Sequence, residues 1–341
     1  MATSTTALLA GDAGGTSTRL AIVEVSGGAL RVATTARFDS RGHPTLASIV
    51  QAFRTTHPQP VARACFGVAG PVVDGHVETP NLPWVVDAAA LARELGVDQV
   101  DVINDLEANA YGIFALSPAD FTVLNAGAPA AGNRAVISAG TGLGEAGIVW
   151  DGRNHRPFAT EGGHATWAPS TDLEAELLHH LAQKFGGHVS VERVVSGPGL
   201  VNVYEFLRDT GRGEEPGWLK EALAKNDHAA VISSNSMNGR SALCNAALDL
   251  FVAAYGAEAG NLALKMMAIG GVYLGGGIAP KIIARLKTPA FVRSFTAKGR
   301  LSSLLEAIQV RVIMNDHAAL LGAARFAALR ASLIAREAAM P

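Results

Sequence analysis

Cysteine is scarce: Cys65 and Cys244 are the two in 341 residues, each set inside an apolar stretch. That usage argues against a disulfide framework or a zinc knuckle and fits reduced, buried thiols of a cytoplasmic protein. Charge is low as well, at 17% of residues with a formal net charge of −2, and Lys and Arg form no run. A nucleic-acid partner or an anionic membrane surface therefore lacks its electrostatic footprint. No basic segment precedes Ala7-Leu8-Leu9-Ala10, so a secretory leader is not expected. Long uninterrupted apolar runs are missing too. The longest apolar region, Leu243 to Ile269, contains Asp249, Glu258 and Lys265, which marks a core helix instead of a membrane span.

Apolar residues, by contrast, make up 49% of a chain long enough for two ordinary domains. Val100-Asp101-Val102-Ile103 reads as a strand that ends in Asn104-Asp105 and feeds a helix from Leu106. In open α/β sheets ligands sit beyond the carboxyl ends of strands, so Asp105 is the candidate catalytic base. The competing reading is that Asn104 or Asp105 simply caps the helix.

Two stretches share one device. Ala7 to Val25 reads as strand, glycine-rich turn (Gly11-Asp12-Ala13-Gly14-Gly15-Thr16) and strand, and Ala135 to Trp150 repeats it around Gly140-Thr141-Gly142. Bare glycine backbone lets N–H groups approach an anion, with Thr16, Ser17 and Thr18 as further donors; a plain hairpin turn has the same composition. Two such loops, one per domain, would close on a nucleotide from opposite sides. Gly142 to Gly147 also satisfies G-x-G-x-x-G, but a strand follows it where a dinucleotide fold needs a helix.

Other stretches present polar groups. Val72 to Val77 is a hairpin around Asp74-Gly75, and Thr79 to Trp84 is a rigid loop in which Trp84 either walls a pocket or packs on the surface. Glu161-Gly162-Gly163-His164 holds two side chains together across a glycine break; the surrounding histidines lack zinc-ligand spacing, and His179 and His180 belong to the solvated face of a helix over Asp172 to Phe185. Glu192 opens a loop-to-helix passage and could equally be a charge favoured at a helix start. Gly275, Gly276 and Gly277 end a buried strand, where a flat base could lie on backbone; an Ala-rich helix over Ala318 to Glu337 closes the chain.

In their order and separation these motifs resemble the bacterial glucokinase family, within the actin, Hsp70 and hexokinase superfold, from Gly11 to Gly322. The resemblance implies an α/β, two-domain actin-like ATPase (ribonuclease H-like) fold with a central cleft. Residues 1–116, completed by the helix in 316–341, would form a small domain and 117–315 a large one. It implies ATP under Gly11, Asp12, Gly14, Gly15 and Thr16, under Gly140, Thr141 and Gly142, and at Gly275 to Gly277. Asp105 would take the proton from the sugar 6-hydroxyl, with Asn104, Asp105, Glu161, His164 and Glu192 holding hydroxyls. Carboxylates and an amide suit a hexose, whose ring hydroxyls each donate and accept. Asp12 is placed to hold Mg2+ through water.

A homodimer is implied, and the lack of cysteines after Glu161-Gly162-Gly163-His164 places the chain in the zinc-free branch. Glu145 fits poorly beside phosphates unless it faces away, or engages the sugar side or a cation. A kinase for mannose or an N-acetylhexosamine is the alternative substrate reading, and ADP or polyphosphate would meet the same glycines. A non-catalytic sugar-sensing regulator is the alternative class, disfavoured by Asp105 and by the start of the first glycine hairpin at Gly11, with no room for a DNA-binding helix pair before it.

Overall fold

Alternation along Ala7-Leu8-Leu9-Ala10 sends Leu8 and Ala10 to one side of a strand and Leu9 to the other, and both sides are buried. That strand anchors the fold. The structure is a computed structural model that describes residues 5–335. The first half of the chain runs β1 (Thr6–Ala13), β2 (Ser17–Ser26), β3 (Ala29–Asp39), α1 (Leu46–Thr56), β4 (Arg63–Val68), β5 (His76–Glu78), β6 (Val85–Asp87), α2 (Ala88–Leu95), β7 (Val100–Asn104) and α3 (Asp105–Gly112). The five-stranded sheet has order β3-β2-β1-β4-β7. β1 and β2, and β2 and β3, pair antiparallel, whereas β1, β4 and β7 run parallel. Ile49 and Phe53 of α1 and Leu91 of α2 cover Leu9, Leu20 and Ile22 on one face. Each such buried side chain contributes roughly 1.5–3 kcal/mol.

Next come β8 (Phe121–Asn125), β9 (Arg134–Ala139), β10 (Leu143–Trp150), β11 (His155–Thr160), α4 (Asp172–Phe185), α5 (Gly197–Asp209), α6 (Gly217–Lys225), α7 (His228–Met237) and α8 (Ala242–Met266). β12 (Val272–Gly275), α9 (Ile283–Leu286), α10 (Pro289–Thr296), α11 (Ser302–Ala307), β13 (Val310–Ile313) and α12 (Ala318–Arg330) complete it. The second sheet has order β11-β10-β9-β12-β13-β8, with β12 parallel to both β9 and β13. Beneath it α8 is buried along much of its length, and the Tyr255 hydroxyl donates to the Ile137 carbonyl at 3.2 Å. No helix among the described residues is long and apolar enough to cross a membrane.

The chain divides into two compact units. Of the described residues, the first takes in 5–121, Ala146–Ala159 and 315–335; the second takes in Thr122–Glu145 and Thr160–Met314. The block 117–315 expected as one domain is thus interrupted, because Ala146–Ala159 groups with the first unit. In that unit α12 lays Ala323 and Ala327 against Leu8, Ala10 and Cys65, the second face of the sheet. Small side chains let the helix approach closely. α12 ends at Arg330, short of the expected Glu337, which lies outside the described residues.

Local chemistry explains the turns. Asp74 and Gly75 both have positive φ, 52° and 76°, and Val73 and His76 exchange backbone hydrogen bonds at 2.9 Å, as a type I′ hairpin turn requires. Trp84 is neither pocket wall nor surface packing: it is buried in the first unit's core and donates from Nε1 to the His43 carbonyl at 3.0 Å. Of the two histidines assigned to a solvated face, His179 is exposed but His180 is half-buried, its ring edge-on to Phe206 at 5.5 Å.

Candidate active site

In the first unit the candidate residues gather at the carboxyl ends of β1, β4 and β7. Register places Asp12 beside Gly67 and Val68 beside Asn104, so one strand separates the stretch holding Asp12 from that holding Asp105. Two inter-strand spacings amount to about 10 Å. Asn104 is the helix cap. Its Oδ1 accepts from Leu106 N at 2.9 Å and Glu107 N at 3.3 Å, while Nδ2 donates to the Gly70 carbonyl at 3.0 Å. An amide nitrogen carries two hydrogens, so one donor of Asn104 remains. The capping duty leaves Asp105 as the first residue of α3, half-buried, where the helix dipole favours its negative charge.

Asp12 is desolvated. Burial pushes its carboxyl up to about 6, opposed by the Arg19 guanidinium, which is paired with Asp316 at 2.9 Å. Burial likewise raises Glu107, in the first turn of α3, to about 7. The glycine loop divides by role. Gly11 lies within the β1 ladder and is buried; a Cβ there would stand 2.4 Å from the Phe66 ring, so this glycine serves packing and not phosphate. Gly14 donates to the Ser17 carbonyl at 3.2 Å and accepts from Ser40 Oγ at 2.8 Å. Gly15 stands against Asn81, whereas Thr16 is exposed at the tip. Thr18, expected as an anion donor, is instead fully buried with its hydroxyl on Ser40 Oγ at 2.9 Å. Ser40 and Asn81 carried no motif by which sequence reasoning finds them.

In the second unit three loops are stitched into one surface. Leu143 N donates to Glu192 Oε2 at 2.9 Å, Gly197 N to the Gly140 carbonyl at 2.8 Å, and Val191 N to the Ala165 carbonyl at 2.9 Å. These bonds bring Gly140-Thr141-Gly142, Glu161 to His164 and Glu192 together. Glu192 is therefore no mere helix-start charge: one oxygen holds the glycine loop and Oε1 is left for another partner. Gly162–His164 forms a single 3-10 turn, with Glu161 Oε2 and His164 Nε2 3.8 Å apart and both side chains exposed. Gly275 is buried at the end of β12, in register with Ser138, while Gly276 and Gly277 are exposed. Gly276 has φ +79°, and a Cβ there would lie 2.3 Å from the Ala139 carbonyl.

Glu145 lies buried against Gly162, within the Glu161 to His164 stretch. It is 1% exposed, and its Oε2 would stand 2.0 Å from a Cβ on Gly162. Burial, then the neighbouring Glu258 carboxyl, push its pKa up to about 7 against the opposing charge of Lys265. The raised pKa lessens the charge this carboxyl would present to a phosphate, which eases the misfit seen in the sequence.

The family model described as Glucokinase matches residues 9–330. The chain is 43% identical to a glucokinase of Synechocystis sp., with 94% of this chain and 97% of that protein covered. A glucokinase crystal structure from an Antarctic psychrotroph superposes with a TM-score of 0.80 at 32% identity, covering 94% of this chain and 98% of that one. A ROK family glucokinase from Streptomyces griseus, solved in complex with glucose and AMPPNP, shares the actin-like fold at a TM-score of 0.65 and 20% identity, over 95% of this chain and 99% of that one.

Proposed function

Because this chain belongs to the glucokinase family, we propose that it transfers the terminal phosphoryl group of ATP to the 6-hydroxyl of D-glucose. The product pair is glucose 6-phosphate and ADP. One observation carries the residue assignment: Asp105 opens α3 at the carboxyl end of β7, at the same end of the sheet as Asp12.

In this reading the Asp105 carboxylate accepts the 6-hydroxyl proton, while that oxygen attacks the terminal phosphorus and the bond to ADP breaks. Proton acceptance of this kind contributes about 10²–10⁴-fold in rate. Asn104 offers its remaining N–H to a sugar oxygen, and Glu161, His164 and the Oε1 of Glu192 hold further hydroxyls. Leaving one such partner unpaired costs about 1–3 kcal/mol. Backbone N–H groups at Gly15, Thr16, Thr141, Gly276 and Gly277 take phosphate oxygens. Gly11 is not among them, for the packing reason given above.

The residues present fit Mg2+. Asp12 is a desolvated carboxylate for which a divalent cation restores the charged form, and no group of three or more His, Cys, Asp or Glu among the described residues could hold a metal. Mg2+ usually keeps several of its waters and is bound through one or two carboxylates and substrate phosphates, so Asp12 would hold it with the help of ATP. Held there, Mg2+ would supply neutralisation of the charge that builds on the transferred group. A homodimer, as the family resemblance implies, and a cytoplasmic location complete the proposal; the two buried free thiols support the reducing compartment.

A coupled assay of glucose, mannose and N-acetylglucosamine against ATP, ADP and polyphosphate tests the reading. Glucose with ATP is expected to give the highest kcat/KM. A higher value for another pair overturns the substrate assignment.

A further inference from the structure

A cavity of about 320 Å3 lies wholly within the first unit, away from the residues assigned above. Arg325 and Arg330 of α12 and Arg156 of β11 line it, as do Tyr111 of α3, Phe114 and His155. Among the described residues that line it there is no aspartate or glutamate. Arg156 and Arg330 are tethered from outside, by Asp151 at 2.9 Å and Asp101 at 3.8 Å, which leaves their guanidinium groups oriented but not enclosed. Arg325 is only 8% exposed, with its guanidinium 5.7 Å from the Phe114 ring centroid. The rings form a second wall. Phe114 and His155 lie 5.2 Å apart and tilted, His155 lies 4.7 Å from Trp150, and Tyr111 meets Phe326 edge-on at 5.2 Å.

Guanidinium groups match the planar oxygens of phosphate and carboxylate, and aromatic walls favour a flat or apolar body. A free inorganic ion uses one wall and a neutral ring the other. We propose that this cavity is an effector site for a small organic anion that joins a phosphate or carboxylate group to a flat apolar body.

Backbone contact links the site to α3. A Cβ on Gly112 would stand 2.1 Å from the Ala318 carbonyl, and one on Gly322 1.7 Å from the Ala108 carbonyl. α3 and α12 therefore touch without side chains between them, and a ligand gripped by α12 arginines and the rings around Tyr111 acts on the helix that begins with Asp105. A ligand that binds one placement of these helices better than another shifts the balance between them. This last step rests on the role given to Asp105; the binding itself does not.

The test is calorimetric titration of the full chain, with glucose and AMPPNP saturating, using phenyl phosphate, benzoate, phenol and inorganic phosphate. Phenyl phosphate or benzoate should bind saturably, and phenol and inorganic phosphate about tenfold or more weakly. The two anionic arms separate phosphate from carboxylate as the preferred group. The variant Arg156→Ala/Arg330→Ala, altered at two exposed positions, should lose binding by about tenfold or more, with Arg325→Gln as a second variant. The bound anion should also change kcat or the KM for glucose in the parent but not in the double variant.

Absence of saturable anion binding overturns the site, as does equal binding by parent and double variant, or phenol binding as tightly as phenyl phosphate. A self-association that covers this face and is lost in the double variant, with no anion uptake, overturns it too. Binding that leaves both kinetic constants unmoved overturns the effector role. Asp105→Ala should retain phenyl phosphate binding, so failure of the catalytic assignment is seen separately.

Discussion

The Glu192 carboxylate accepts the Leu143 amide hydrogen at 2.9 Å, tying an acidic side chain assigned to the sugar onto the glycine loop assigned to the nucleotide. A Cβ on Gly142 would stand 2.4 Å from the same oxygen, so the loop closes on Glu192 without room for a side chain.

Glu192→Ala should therefore weaken both substrates, with a fall in kcat/KM of about 10–150-fold, the range for a hydrogen bond to a charged group. Glu192→Gln keeps an acceptor for Leu143 and should recover most of the KM for ATP but less of that for glucose. Steady-state kinetics with each substrate varied in turn reads this. A change confined to glucose in both variants contradicts the double role.

Asp105→Ala should bind glucose within a few-fold of the parent and lose about 10²–10⁴-fold in kcat. Calorimetry with glucose and a single-turnover assay measure the two halves. Near-normal turnover removes Asp105 from proton transfer.

Asp12→Asn should raise the Mg2+ concentration needed for half-maximal activity and lower kcat, since it removes a desolvated carboxylate whose remaining charge partner is Arg19. A metal titration of activity checks it. An unaltered curve places Mg2+ elsewhere.

Glu145 gives a pH prediction. Its carboxyl holds a proton up to about pH 7 in the folded chain, against an ordinary value of 4.5. Between those values the folded state binds the extra proton, so stability falls as pH rises through that window and stays low above it. Glu145→Gln removes this penalty. Relative to the parent it should gain on the order of 1–3 kcal/mol near pH 8 and little near pH 5. Thermal melts at the two pH values decide it; an equal shift at both contradicts the buried, protonated state.

Gly276→Ala should cost about 2 kcal/mol or more, because φ of +79° and a carbonyl contact of 2.3 Å both oppose a Cβ. It should also raise the KM for ATP. Chemical denaturation and kinetics report the two effects.

Much of this was legible in the sequence because it depended on neighbours in the chain. Asp74-Gly75 announces a type I′ turn, and Asn104 before Leu106 announces a cap. What stayed hidden depended on distant partners. Gly11 looks like Gly14 in a string of letters, yet Phe66 covers one and Ser40 holds the other. Glu145 reads as a carboxylate misplaced beside phosphates until Glu258, more than a hundred residues on, is placed beside it. Arg325 sits in an Ala-rich helix with nothing to mark it as lining a cavity. One overlooked signal was present: Ile313-Met314-Asn315-Asp316 repeats the strand-then-Asn-Asp pattern of Ile103-Asn104-Asp105, and Asp316 pairs with Arg19 opposite Asp12.

The covering of Leu8, Ala10 and Cys65 by α12 sets an order of events at the ribosome. Once β7 has emerged, about 200 residues must still be made before α12 arrives, roughly 10–40 s at ordinary elongation rates. Throughout that interval one side of the nascent sheet is bare and sticky. A premature stop ahead of Ala318 should therefore yield an aggregating fragment instead of a weakened enzyme, which sedimentation of the truncated chain would show.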